Sequence, residues 1–164
     1  MSVAAGIRDW CAARRRPPLH VAVDEGDGPA VVLVHGIASS YTTFEHVVPL
    51  VQSGRRVIAM DLLGFGASPA PPTATFTLDE HVMYVERTLR RLRVREPFVL
   101  VGHSMGALIA TRFAARRSSA LTGLVLVSPP VYLPPDIVGD PVDRAAMNLY
   151  RRVYDFLRRK RDFT

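Results

Sequence analysis

Four short apolar runs separated by helical stretches predict an α/β fold, a mostly parallel sheet with helices on both faces. Ala30–Val34 is continuous and β-branched, and Arg56–Met60, Phe98–Val101 and Leu124–Val127 share its character. Unbroken apolar runs suit strands covered on both sides, as in parallel sheets. Alternation with helices is the mark of βαβ units.

His20–Asp24 alternates in polarity, with Val21 and Val23 expected on one face of a leading strand, and Glu25–Pro29 is a Gly/Asp-rich turn. The first connecting helix, Thr43–Val51, is the weakest, because Pro49 is expected to kink or limit it. The second is clearer. Thr77-Leu78-Asp79-Glu80 is a capping box, in which Thr77 accepts from the Glu80 amide and Glu80 reaches back. Leu78, Val82, Val85, Leu89 and Leu92 then form one apolar stripe, and arginines crowd the last turn. A third helix, Met105–Arg116, is expected to turn Leu108, Ile109 and Phe113 inward. Residues 1–18 read as an N-terminal tail or short leading helix and 19–130 as the core. In 131–164 a proline-rich loop leads into a helix, Asp143–Lys160, with Leu149, Val153, Phe156 and Leu157 on one face.

The chain has 164 residues, 48% of them hydrophobic, which is enough for a packed core and excludes disorder as a general description. Its net charge of +6 is almost all arginine, since Lys160 is the only lysine. The arginine runs carry no nucleic-acid recognition motif, so no nucleic-acid partner is expected. A basic amphipathic surface at Arg151–Arg161, binding DNA or anionic lipid, is the sharper alternative. Cys11 stands alone, which excludes an intrachain disulfide. The N-terminus lacks a secretory layout, and no apolar run approaches the ~20 residues of a membrane span. A cytoplasmic protein without a membrane span is expected.

Three motifs carry chemistry. Gly102-His103-Ser104-Met105-Gly106 follows one predicted strand and opens a helix. A G-x-S-x-G in that setting is a nucleophile elbow: a sharp turn lifts the serine hydroxyl clear of the sheet, and the helix start faces a developing oxyanion. His35-Gly36-Ile37-Ala38 follows the strand Ala30–Val34. An oxyanion hole needs two converging donors, and the backbone N–H groups of Ile37 and Met105 are the candidates. His35 reads as a brace for its loop rather than as a base. Asp61-Leu62-Leu63-Gly64-Phe65-Gly66-Ala67-Ser68-Pro69 reads as a turn held by the Asp61 carboxylate, not as a dinucleotide fingerprint, because prolines follow where a helix would begin.

Taken together, H-G, D-x-x-G-x-G-x-S and G-H-S-M-G in this order resemble the α/β-hydrolases, especially their lid-bearing esterases, lipases, C–C bond hydrolases, epoxide hydrolases and haloperoxidase-like enzymes, over about His20–Pro130. The resemblance implies the α/β-hydrolase fold, ending here in the start of a helical lid. It implies Ser104 as nucleophile and Ile37 and Met105 as oxyanion donors, supported by His35, Gly36, Gly102, His103 and Gly106. The expected partner is a small ester or acyl substrate, with no cofactor and no metal. Epoxide hydrolases and dehalogenases carry Asp at the elbow, so Ser104 points away from both.

The fold's triad continues with an acid and then a histidine. The five histidines here are His20, His35, His46, His81 and His103, and none follows Ser104. Asp136, Asp140 and Asp143 lie where some relatives place the acid, although on their own they read as loop or helix-start residues. The chain alone is therefore expected to be nearly inactive, and Leu124–Val127 to form an unprotected apolar edge. The alternative is a non-catalytic binding module on the same fold.

Overall fold

The computed structural model describes residues 17–94 and 97–130, with Ala145 and Arg152. Five strands, β1 (Val21–Glu25), β2 (Ala30–Val34), β3 (Arg56–Met60), β4 (Phe98–His103) and β5 (Leu121–Val127), form one sheet in the order β1-β3-β2-β4-β5. β1 is antiparallel to β3, and the other pairs are parallel. The helices are α1 (Val48–Val51), α2 (Leu78–Arg91) and α3 (Met105–Arg116).

The order places the helices. From β3 to β4 and from β4 to β5 the chain moves the same way across the sheet, so right-handed crossovers put α2 and α3 on one face. From β2 to β3 it moves back, which carries Tyr41–Val51 to the other face. Side chains alternate accordingly. Val32, Val34, Ile58, Met60 and Leu100 pack with Val82, Val85, Ile109 and Phe113 on the first face. Val31, Leu33, Val57 and Ala59 pack with Phe44 and Val48 on the second.

Several expectations need correction. The first connection is a 3-10 turn, Tyr41–Phe44, followed by one turn of α1. Pro49 stands at the start of α1, where its missing N–H costs nothing, so it opens the helix rather than kinking it. Val21 and Val23 pack on opposite faces, because the β1–β3 register shifts between them and a bulge breaks the alternation. Leu78 is exposed and Leu108 only half-buried, while α2 buries His81, Tyr84 and Thr88 and α3 buries Ala107 and Ala110. The capping box is also different. Thr77 accepts from the Glu80 amide as expected, but Glu80 reaches the amides of Thr75 (2.6 Å) and Phe76 (2.9 Å). Phe76 has φ 51°, a bend just before the helix.

β4 runs two residues further than expected, and β5 begins three residues earlier. Among the described residues β5 pairs with β4 alone, and Leu124 to Val127 are 38–46% exposed, the apolar edge anticipated. The chain divides into two compact units, Met1–Pro129 and Pro130–Thr164. The expected lid helix, the arginine run Arg151–Arg161, and Asp136, Asp140 and Asp143 belong to stretches outside the described residues, apart from Ala145 and Arg152. No helix among the described residues is long and apolar enough to cross a membrane.

Candidate active site

Ser104 lies between β4 and α3 with φ 53° and ψ −121°. That left-handed conformation costs a non-glycine residue about 1–3 kcal/mol and persists only where the surroundings enforce it. Two hydrogen bonds and two close backbone approaches do so. The Ser104 N–H donates to the Val127 carbonyl (2.9 Å), and the Ser104 carbonyl accepts from the Ala107 amide (2.9 Å). A Cβ added to Gly102 would strike the Gly106 backbone, and one added to Gly106 would strike the carbonyl oxygens of Val34 and His35. The two glycines of the motif therefore let α3 start directly against the ends of β4 and β2.

The His35–Ala38 loop meets this turn. A Cβ on Gly36 would stand 2.9 Å from the Ser104 Cβ and 3.4 Å from His103 Nδ1. Ile37 follows with its side chain half exposed, and Ala38 has φ 51°. Met105 is the first residue of α3, so its N–H is one of those left without an intrahelical acceptor.

His35 is fully buried, and both ring nitrogens are engaged. Nδ1 is 2.7 Å from the Gly36 carbonyl, and Nε2 is 2.8 Å from the Leu62 amide. An amide can only donate, so Nε2 must accept and Nδ1 carries the proton. Burial pushes this imidazole below its ordinary range, against the opposing pull of the Gly36 carbonyl. A neutral ring thus ties the His35–Ala38 loop to the loop after β3, which is the bracing role read from the sequence.

Asp61 anchors that second loop. Its carboxylate accepts from the amides of Tyr41 (2.8 Å) and Ala67 (2.9 Å) and lies 3.0 Å from His20 Nδ1. A Cβ on Gly66 would overlap the same carboxylate. Burial alone would raise the Asp61 pKa, but the Ala67 and Tyr41 amides and His20 outweigh it and hold the carboxyl below its usual range. Ser68 completes the loop, donating to the Asp61 carbonyl (2.7 Å) and accepting from the His20 amide (2.8 Å). Asp61→Ala would strand two amides at ~1–3 kcal/mol each. The expected result is a loss of about 3 kcal/mol in urea unfolding, whereas Asp61→Asn keeps one acceptor and loses less.

Sequence reasoning missed three parts of this arrangement: His20 and Ser68 as partners of Asp61, and the Val127 carbonyl that pins Ser104. Ser68 stood inside a motif already singled out, but the other two depend on pairing across the sheet and leave no local signal. His103 Nδ1 is buried without a hydrogen-bond partner among the described residues. No group of three or more potential metal ligands occurs among them.

A profile of the α/β hydrolase fold matches residues 29–163. The chain belongs to the α/β-hydrolase family. It is 38% identical over 121 residues to "Probable lysophospholipase BODYGUARD 4" of Arabidopsis thaliana, covering 71% of this chain and 28% of that protein. It is 39% identical over 110 residues to a haloalkane dehalogenase of Mycobacterium marinum, covering 65% of this chain and 37% of that protein. Among solved structures, a mutant meta-cleavage product hydrolase superposes with a TM-score of 0.62 at 29% identity, covering 65% of this chain and 40% of the other. The chain thus spans well under half the length of these relatives. Their names differ in what they act on, a lysophospholipid, a haloalkane and a meta-cleavage product.

Proposed function

We propose that this α/β-hydrolase chain carries the nucleophile and oxyanion hole of a serine hydrolase acting on ester or related acyl bonds. The observation that carries the reading is Ser104 itself, held at φ 53° ahead of α3 with the Gly36 loop against its Cβ. Ser104 Oγ would attack the substrate carbonyl, and the Ile37 and Met105 amides would receive the oxyanion. The proton of Oγ needs a base that would later protonate the leaving alcohol. His35 cannot serve, because its nitrogens are committed to Gly36 and Leu62. A carboxylate at the elbow, the dehalogenase arrangement implied by the sequence resemblance, is absent here, which favours the acyl-transfer reading over dehalogenation.

A second reading, a non-catalytic binder of small esters, is favoured by one observation: no histidine follows Ser104 in the sequence. Incubation with a fluorophosphonate, followed by peptide mass mapping, tests the first reading. Slow modification of Ser104 is expected, accelerated by added imidazole acting as an external base. Ser104→Ala should abolish it. Modification spread over other serines, or unchanged in Ser104→Ala, would refute the assignment.

A further inference from the structure

Just before α2 the chain bends at Phe76. Its φ of 51° lies in the left-handed region, which a bulky residue enters only where its surroundings enforce it. Glu80 enforces it here. One oxygen of its buried carboxylate, Oε2, accepts from the Thr75 amide (2.6 Å), the Thr75 hydroxyl (2.8 Å) and the Phe76 amide (2.9 Å). Starting α2 does not require this, since the Thr77 hydroxyl already caps the helix through the Glu80 amide (3.2 Å). A glycine at position 76 would take the same bend without strain. What the bend places is therefore the phenyl ring.

The ring lands on the loop after β3. A Cβ added to Gly64 would stand 2.7 Å from Phe76 Cε1, so the ring sits where only a glycine leaves room. Gly64 belongs to a tight turn. Its amide donates to the Ser68 carbonyl (3.1 Å), and the Phe65 amide donates to the Leu62 carbonyl (2.9 Å). That turn meets His35 twice. The Leu62 amide donates to His35 Nε2 (2.8 Å), and the Phe65 ring stands edge-on to the imidazole with centroids 6.0 Å apart. His35 Nδ1 in turn donates to the carbonyl of Gly36, the residue before Ile37.

We infer that Glu80 and Phe76 are positioning residues for the oxyanion loop. Glu80 fixes the bend, the bend seats the Phe76 ring on Gly64, and the seated turn holds the Leu62 amide on His35. The inference rests on the role proposed for the Ile37 amide. It matters there because a donor displaced by about 1 Å loses most of its effect on the reacting oxygen. Asp61 grips the same loop from its other side, through the Ala67 and Tyr41 amides, and cannot replace a ring seated at Gly64.

Hydrogen exchange, the His35 side-chain nitrogen resonances and fluorophosphonate labelling of Ser104 together test this. In Glu80→Ala and in Phe76→Leu the Leu62 amide should exchange ~10-fold faster relative to the β2 amides, as expected for one weakened hydrogen bond. The His35 Nε2 resonance should move toward that of an unbonded ring nitrogen. Labelling of Ser104 should slow by ~10-fold, less than the roughly 10²–10³ of a donor removed outright. Glu80→Gln keeps an acceptor oxygen at the same reach and should recover most of each loss. Phe76→Leu leaves the Glu80 hydrogen bonds in place, so it reports on the ring even where Glu80→Ala does not fold. Equal acceleration at Leu62 and the β2 amides in Phe76→Leu, or an unmoved His35 resonance, would overturn the inference. So would labelling of the parent protein that both variants leave unchanged, and the Ser104 reading would then stand. No labelling of the parent at Ser104, with Leu62 and His35 responding as expected, would overturn the Ser104 reading and not the coupling.

Discussion

Gly106→Ala is expected to cost about 3 kcal/mol or more in urea unfolding, near the upper end for an inserted methyl because the obstacle is backbone. The new Cβ would run into the carbonyl oxygens of Val34 and His35, which belong to the end of β2 and cannot swing aside as a side chain does. α3 would have to lift away from the sheet, taking Met105 and the Ser104 turn with it. Gly123→Ala is the control. There a Cβ meets only Val99 methyls, at 3.6 Å and beyond, and φ is not in the left-handed region. That substitution should change stability by less than about 1 kcal/mol, with a slight gain from the stiffer unfolded chain. If both variants unfolded alike, the close approach of α3 to β2 would be wrong.

The second large effect is acid lability. His81 is buried on α2 with Nδ1 lacking a partner among the described residues, and burial lowers its pKa to about 4. Glu80 pulls it upward and His35 downward, but desolvation dominates. A folded pKa below the unfolded value means the unfolded state takes the proton first. The stability from the neutral ring is therefore complete above about pH 6.5 and is lost as pH falls toward 4. The shift corresponds to roughly 3 kcal/mol over that window. His35 adds to the loss with the same sign, because its Nε2 cannot accept from Leu62 once protonated. Asp61, held low, adds its own loss only at more acid pH. Urea midpoints measured from pH 7 to pH 4 should fall steeply, and His81→Leu should flatten much of the fall. A flat profile in the parent protein would contradict the buried neutral ring.

What could be read from the sequence follows from how local each signal is. β2 and β3 were found residue for residue, because a strand buried on both faces must be apolar throughout. The turn at Ser104 was legible because a strand, two glycines and a helix start sit within a few residues of it. Asp61 and His35 were assigned holding roles correctly, since short polar side chains at strand ends take up nearby backbone groups. The misses were non-local. The bulge that sends Val21 and Val23 to opposite faces is set by pairing with β3, and the burial of His81 by packing beside Phe76 and the site loops. Helical periodicity marked Leu78 as inward, but it stands at the helix start beyond the edge of the packed face.

In the proposed function the Ser104 hydroxyl faces two converging amides. A crystal structure of the protein phosphonylated at Ser104 addresses it directly. One phosphonyl oxygen is expected within about 3 Å of both the Ile37 and the Met105 backbone nitrogens. An adduct whose oxygens all point to solvent, or touch neither amide, would contradict it.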